Sequence, residues 1–425
     1  VRKMNKPAFI KIDTYRLMAH SKGDDDRKPE EISTFSDLDI LNNLRHDKTY
    51  MTSFLKIDQD IEKYVNSKLK LRDYFNYETY RKDQLPRKVS VRADKIKNQK
   101  TLMVKVLNKA YETSLMNGSV FIGEDIEDPY GGAFKVTKGF QDKKPENIYS
   151  TPISEAGLTG MAIGFSLGGQ KAYAEIMFGD FVVNAMDQII NNASKFYHMY
   201  GKQVSTNVSI RMPMGGRRGY GATHSQSLEK LLIGLDNVAV VAPTSLVSPE
   251  DLLSAVERLE CPSIIIENKT DYASYLFEGV NYTTFSKVGG DLGTISIKPN
   301  TKKIDITIIS YGYTARLIAN NFQKLFEVSD FTFELLCPQL LHPLPLEHFI
   351  RSVKKTNRLL VVEEGTEAFG WSDGVVSALV KRIDSLKVNT VSADPVAIPA
   401  NRKLEDLNLV SVEKVASGLK ILGKM

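Results

Sequence analysis

"STPISEAGLTGMAIGFSLGGQKAYAEIM", residues 150–177, decides how the chain is read. Its first part is a run of small and apolar residues with the spacing of a buried helix. Its last part, "AYAEIM", is a short apolar strand. A helix that feeds directly into an apolar strand is the repeating unit of a parallel sheet covered on both faces. One residue does not fit that description. Glu155 heads the helix, and no other charge follows until Lys171. Buried carboxylates are rare and costly unless paired, so this one needs a task.

The same alternation extends in both directions. Residues 101–118, "TLMVKVLNKAYETSLMNG", read as an amphipathic helix stopped by Gly118, followed by the strand "SVFIG". After "AYAEIM" come a helix over 182–200, then the strands "NVSIRM" and "NVAVVAP". The helix "SPEDLLSAVERL" follows, with Ser248 and Asp251 spaced as in a capping box and Pro249 in the first turn, and then the strand "SIIIEN". Residues 269–300 are irregular and contain glycine. Beyond them a second α/β unit carries the strands "ITIISYG", "FTFELL", "RLLVVEEG" and "VNTVSA", with helices near 313–326, 345–356 and 371–384. The expected fold is therefore α/β, with two doubly wound domains at 101–275 and 301–425 joined by a linker at 276–300. Ahead of them, residues 36–100 read as a mainly helical connector. It holds the patterns "SDLDILNNL", with an Asp or Ser cap, and "DQDIEKYVNSKLKL". The stretch "PAFIKIDTYR", residues 7–16, alternates like a short strand.

Composition excludes several classes. Of 425 residues, 42% are apolar and 25% charged, as in ordinary globular proteins. The net charge of +5 is spread among acids and gives no nucleic-acid footprint. Between Lys56 and Lys100 thirteen basic residues face seven acids, which reads as a solvated connector rather than a binding arm. No run approaches the roughly 18 apolar residues of a membrane span. The two cysteines, Cys261 and Cys337, have no metal-ligand spacing and imply no disulfide framework. They fit a reducing compartment: cytoplasmic, or the mitochondrial matrix in a eukaryote. The first residue is Val1, so the expectation is that the true N-terminus has been removed.

No phosphate-binding GxxxxGK[ST], GxGxxG after a strand, HExxH or GxSxG pattern occurs. Three local features remain. They are Glu155 at its helix start, "GEDIED" after a strand, and the glycine-dense loop "MGGRRGYGATHSQS" leading to His224. Such loops allow close backbone approach to a ligand, and a histidine can transfer a proton near neutral pH. All three fall where strands end and helices begin, which is where open parallel sheets bind ligands.

The motifs "GED…YGGAFKVTKGF", "TPISEAGLTGMAIG", "AEIMFGDF…AMDQIINNASK" and "THSQSLE" resemble the β subunit of thiamine-diphosphate-dependent 2-oxo acid dehydrogenases. Later stretches, "TNRLLVVEEG" and "SADPVAIPA" among them, are similar to that subunit's C-terminal domain. The resemblance implies transketolase-like pyrimidine-binding and C-terminal domains over 101–275 and 301–425. Residues 1–35 carry a second resemblance. "IDTYRLMAHSKGDDDRKPEEI" looks like the closing segment of the α subunit, with Ala19 in place of the usual glycine, as in single-chain versions of the enzyme.

The resemblance also implies roles. A glutamate at the position of Glu155 hydrogen-bonds a pyrimidine nitrogen of the cofactor and favours the tautomer that deprotonates the thiazolium carbon. Phe181 falls where an aromatic packs on the pyrimidine, and His224 where a histidine serves acyl transfer to a lipoyl arm. Glu124 and Asp125 match an acidic pair near the subunit interface that links distant sites as a proton relay. His20 matches a histidine near the cofactor's diphosphate, with Arg16 on the same approach. The Gly-Asp-Gly and downstream Asn-Asn that hold Mg²⁺ and diphosphate in the family are absent, so no metal ligands are assigned here. "FELLCPQLLHP" also departs from the family, with Cys337-Pro338-Gln339 where Asp-Leu-Arg is usual.

The implied function is oxidative decarboxylation of a 2-oxo acid and reductive acylation of a lipoyl group on a partner acyltransferase. The implied assembly is a homodimer completed by an α-type diphosphate-binding domain, without which the chain is inactive. Two alternatives stay open: a transketolase-like enzyme with a non-lipoyl acceptor, and a non-catalytic assembly module.

Overall fold

The computed structural model describes residues 11–18, 27–69, 93–96, 98, 100–201 and 203–425. The chain divides into two compact units, Val1–Tyr80 and Arg81–Met425.

Within the first unit three helices occupy Pro29–Ser36, Ile40–His46 and Met51–Leu69. Asp39 caps the second by accepting the Leu41 N–H at 3.1 Å, as the sequence suggests. Arg45 ties the second helix to the third through both Asp58 oxygens, at 2.7 and 3.2 Å. The strand expected over 7–16 does not form across its described part, residues 11–16. There the Tyr15 ring stacks on Phe35 at 3.8 Å and its hydroxyl donates to Glu31 at 2.8 Å. Packing on a helix, not strand pairing, fixes this stretch. Residues 1–10 lie outside the described residues.

The second unit contains two seven-stranded sheets. Its strands are β1 (Ala93–Lys95), β2 (Val120–Gly123), β3 (Ile148–Ser150), β4 (Ala172–Glu175), β5 (Val208–Met214), β6 (Ala239–Val241) and β7 (Ser263–Asn268). They continue with β8 (Thr283–Val288), β9 (Thr294–Pro299), β10 (Ile306–Ser310), β11 (Phe333–Pro338), β12 (Leu340–His342), β13 (Arg358–Thr366) and β14 (Lys387–Ala393). The first sheet runs β12-β6-β7-β5-β4-β2-β3, parallel throughout except for the antiparallel edge strand β12. Its strands are buried along almost their whole length, which is why they read as continuous apolar runs. The second sheet runs β1-β8-β9-β11-β10-β13-β14, with β11, β10, β13 and β14 parallel and the other end antiparallel. Both sheets fit the doubly wound α/β expectation.

Four expectations need correction. Residues 276–300 are not an irregular linker, because β8 and β9 form a hairpin there that adds to the second sheet. The period-2 pattern is present in "TISIKP", whose Ile295 and Ile297 are fully buried, but the surrounding glycines obscure it. The end of the connector is a strand rather than helix, since β1 pairs antiparallel with β8. The helix expected over 182–200 is broken into a 3₁₀ turn at Gly179–Ala185, a π-helical stretch at Gln188–Ala193 and one α-turn at Phe196–Met199. The Asp187 side chain accepts from Asn191 at 2.8 Å, a local bond that competes with regular helix. Ser248 likewise makes no capping box with Asp251; its hydroxyl donates to Glu250 at 3.0 Å.

The unusual "CPQLLHP" segment joins the two sheets. It leaves the second sheet at β11 and pairs with β6 of the first through β12, and the Gln339 carbonyl accepts the Ala242 N–H at 2.9 Å. Leu341, Phe349, Trp371 and Tyr311 then pack into the same core as Val120, Ile210 and Ile266. The Trp371 indole N–H donates to the Leu341 carbonyl at 3.2 Å.

Candidate active site

The candidate residues of the second unit follow the carboxyl ends of β2, β3, β4 and β5, the binding edge of an open parallel sheet. Glu155 is the first residue of the helix Glu155–Leu167. Ser154 caps that helix by accepting the Gly157 N–H at 3.2 Å. The Glu155 side chain turns inward, only 8% exposed, and accepts from the Asn184 amide at 3.3 Å.

Glu124, following β2, is 7% exposed, and its Oε1 has no hydrogen-bond partner. Burial first, then the Glu155 carboxylate, raise the Glu124 carboxyl above its ordinary value; the Ser154 backbone opposes them. Asp125 adds to the rise, but the two acids differ in exposure. Glu124 faces Glu155, while Asp125 is exposed, adopts φ 50°, and offers its carbonyl to the Gly132 N–H at 2.9 Å.

Phe181 and His224 come together. The imidazole meets the Phe181 ring edge-on at 5.2 Å and the Phe178 ring at 5.1 Å, while Thr223 Oγ1 lies 3.0 Å from its Nδ1. Asn184, the partner of Glu155, belongs to the same 3₁₀ turn as Phe181. The broken helix thus connects the acid to the imidazole wall. π-Helical interruptions of this kind are frequent at functional sites. Arg16 belongs to the first unit, where its carbonyl accepts from Arg27. His20 lies outside the described residues.

The glycine loop differs from expectation in one respect. Its backbone donors are not free for a ligand. The Gly216 N–H donates to Glu364 at 2.8 Å, and the Arg217 and Gly219 N–H groups both donate to Glu405 at 2.8 Å. Successive N–H groups of this kind form an anion-binding nest, filled here by the chain's own carboxylates. A Cβ at Gly216 would lie 2.6 Å from Leu409 Cδ1 and 2.9 Å from Glu405 Oε1, which explains the glycine. Arg217 lies 3.7 Å from Asp406, and Arg218 rests over the Phe134 ring at 5.4 Å while donating to the Lys269 carbonyl at 3.1 Å.

Charged residues inside otherwise apolar strands went unread in the sequence. Arg211 of β5 is fully buried and bridges Glu175 of β4 and Glu267 of β7. Tyr111 and Tyr272 both donate to Glu267, at 2.5 Å each, and the Ala133 N–H donates to Glu175 at 2.7 Å. Burial raises the Glu175 carboxyl and Arg211 opposes it. Lys269, just beyond β7, is also enclosed. Desolvation lowers its ammonium to about 8 against the pull of Asp180. The signal was available, because a charge ending an apolar strand of a parallel sheet points to the site.

The transketolase pyrimidine-binding domain model matches residues 100–274, and the transketolase C-terminal domain model matches residues 296–415. The structure is similar to a split-gene transketolase in an inactive β4 tetramer. The TM-score is 0.58 with 18% identity over 76% of this chain and 98% of that one, a likeness of fold alone. The sequence is 31% identical to the pyruvate dehydrogenase E1 component subunit beta-1, mitochondrial, of Arabidopsis thaliana, over 74% of this chain and 87% of the relative. It is 30% identical to the pyruvate dehydrogenase E1 subunit beta of Rickettsia bellii, covering 73% and 94%. It is 31% identical to the 2-oxoisovalerate dehydrogenase subunit beta of Dictyostelium discoideum, covering 67% and 76%. The chain belongs to the family of β subunits of 2-oxo acid dehydrogenase E1 components.

Proposed function

We propose that this chain supplies the pyrimidine side of a thiamine-diphosphate site in a 2-oxo acid dehydrogenase. The observation that carries the reading is an enclosed pair of carboxyls, Glu155 with Glu124, joined through the turn of Asn184 to the rings of Phe181 and His224. These residues fit the cofactor's aminopyrimidine. Glu124 Oε1 is a buried acceptor without a partner, Glu155 offers an enclosed carboxyl beside it, and Phe181 is half-buried with an apolar face. When bound, the cofactor supplies a thiazolium carbon that adds to the 2-oxo group and lets carbon dioxide leave. Glu155 holds the proton on the pyrimidine nitrogen in a site where water is scarce. Phe181 orients the ring. His224 moves a proton during acyl transfer to a lipoyl group of an acyltransferase. Glu124 and Asp125 form the start of a proton path toward a second copy of the chain.

Diphosphate and Mg²⁺ belong to an α-type region, to which the segment of Arg16 and His20 is similar. The filled nest of Glu364 and Glu405 supports that division, because the N–H groups of Gly216, Arg217 and Gly219 are already taken by the chain's own carboxylates. The exposed face of the Glu155–Leu167 helix, with Gly157, Met161 and Gly164, supports a homodimer. No helix among the described residues is long and apolar enough to cross a membrane, and two buried free cysteines suit a reducing cytoplasm or mitochondrial matrix.

The test is an assay of the chain combined with an α-type subunit, thiamine diphosphate and Mg²⁺, offered pyruvate and branched-chain 2-oxo acids. Carbon dioxide release coupled to lipoamide acylation is expected for one of these acids. Release without acylation would overturn the lipoyl assignment, and no release from any 2-oxo acid would overturn the function.

A further inference from the structure

The loop that carries His224 is gripped from below by a buried ion pair. The Lys269 side chain is fully enclosed, with Nζ 3.7 Å from Asp180 Oδ2 and 5.0 Å from the centre of the Phe178 ring. The same ammonium donates to the main-chain carbonyl of His224. Asp180 Oδ1 accepts from both the Gln226 N–H, at 3.1 Å, and the Gln226 amide, at 3.0 Å. The pair therefore holds the loop at residues 224 and 226, on either side of the buried Ser225. Asp180 also precedes Phe181 in the 3₁₀ turn. One ion pair thus fixes both partners of the His224–Phe181 contact.

Such a pair is poorly explained as a device for stability. Enclosing two charges costs several kcal/mol per ion, and apolar replacement of a buried pair is often neutral or stabilising. Geometry is the better account.

We propose that Lys269 is a positioning residue for His224: paired with Asp180, its ammonium sets the 224–226 segment so that the imidazole faces Phe181. The value of that position rests on the function proposed above, but the position itself is measurable without cofactor or turnover.

The charged groups that face Lys269 are Asp180 from the 3₁₀ turn, Glu364 from β13, Glu405 from the helix Arg402–Asn408, and Arg218 from the loop. Burial leaves the ammonium ionising near pH 8, so loss of its proton should be felt at His224. The experiment uses the full chain labelled with ¹³C at histidine Cε1, with the His224 signal assigned by its absence in His224→Gln. A pH titration of wild type should show, in the His224 signal, a second step near pH 8 that reports the Lys269 ammonium. Lys269→Arg keeps a cation that does not titrate in this range and should remove the second step while leaving the His224 shift at pH 7 close to wild type. The neutral pair Lys269→Met with Asp180→Asn avoids a lone buried charge. It should move and broaden the His224 signal while His348, buried elsewhere, stays unchanged. A single-step titration in wild type, a second step that survives Lys269→Arg, or an unmoved His224 signal in the neutral pair would each overturn the proposal. Movement of His348 equal to that of His224 would mark general loosening and overturn it as well.

Discussion

Glu155 and Glu229 are both enclosed acids, and their surroundings assign them different work. Glu155 accepts from Asn184 and lies beside Glu124, whose Oε1 has no hydrogen-bond partner. Replacing it with Gln should leave the melting temperature within a few degrees of wild type, measured by calorimetry, because the Asn184 contact can be kept. Glu229 is closed in. It accepts from the Tyr311 hydroxyl at 2.5 Å, and burial, followed by Glu363, raises its carboxyl from 4.5 to about 7. The folded state therefore holds an extra proton between those values. The stabilisation from Glu229 is full below 4.5 and is lost as pH rises through 7. The amount is on the order of 3 kcal/mol. Glu229→Gln should match wild type near pH 5 and melt several degrees higher near pH 8, by thermal unfolding at each pH. Equal melting at both would remove this account of the pair. At this scale the sequence was half legible. The isolation of Glu155 in a small-residue helix marked it. The roles of Glu175, Arg211, Glu267 and Lys269 depend on partners distant in sequence, as with Glu175 and Glu267, 36 and 56 residues from Arg211, and His224, 45 from Lys269, which no local pattern contains.

Among the elements, the glycine loop and the broken helix are what bring the site together. The loop's shape comes from Glu405, fully buried and accepting two backbone N–H groups. Glu405→Ala would leave both donors unsatisfied and should cost roughly 2–6 kcal/mol, since each orphaned buried donor costs about 1–3 kcal/mol. Chemical denaturation would measure it, and a loss under about 0.5 kcal/mol would show the nest to be dispensable. Strands and helices with strong periodicity were read correctly from sequence, as with Met103–Met116 and β2, β4, β5, β6 and β7 of the first sheet. What escaped was structure set by pairing at a distance. The β8–β9 hairpin and β1 gain their identity by adding to an edge, and β12 by crossing from one sheet to the other.

At the scale of the whole molecule, the two α/β domains share a core through Leu341, Phe349 and Trp371. Leu341→Ala should destabilise by about 2–5 kcal/mol and lower one joint transition of the two domains rather than split it. Calorimetry that resolves two separate domain transitions would contradict this. The shared core is what keeps the carboxylates of Glu364 and Glu405 against the loop of His224. The site is therefore a property of both domains, completed in the proposed function by an α-type partner. The measurement closest to the centre of the account is hydrogen exchange at the thiazolium carbon of thiamine diphosphate bound to the chain and that partner, read by acid quench and proton NMR. With Glu155→Gln the cofactor should remain bound and exchange should slow by about 100-fold or more; bound cofactor exchanging at the wild-type rate would contradict the role given to Glu155.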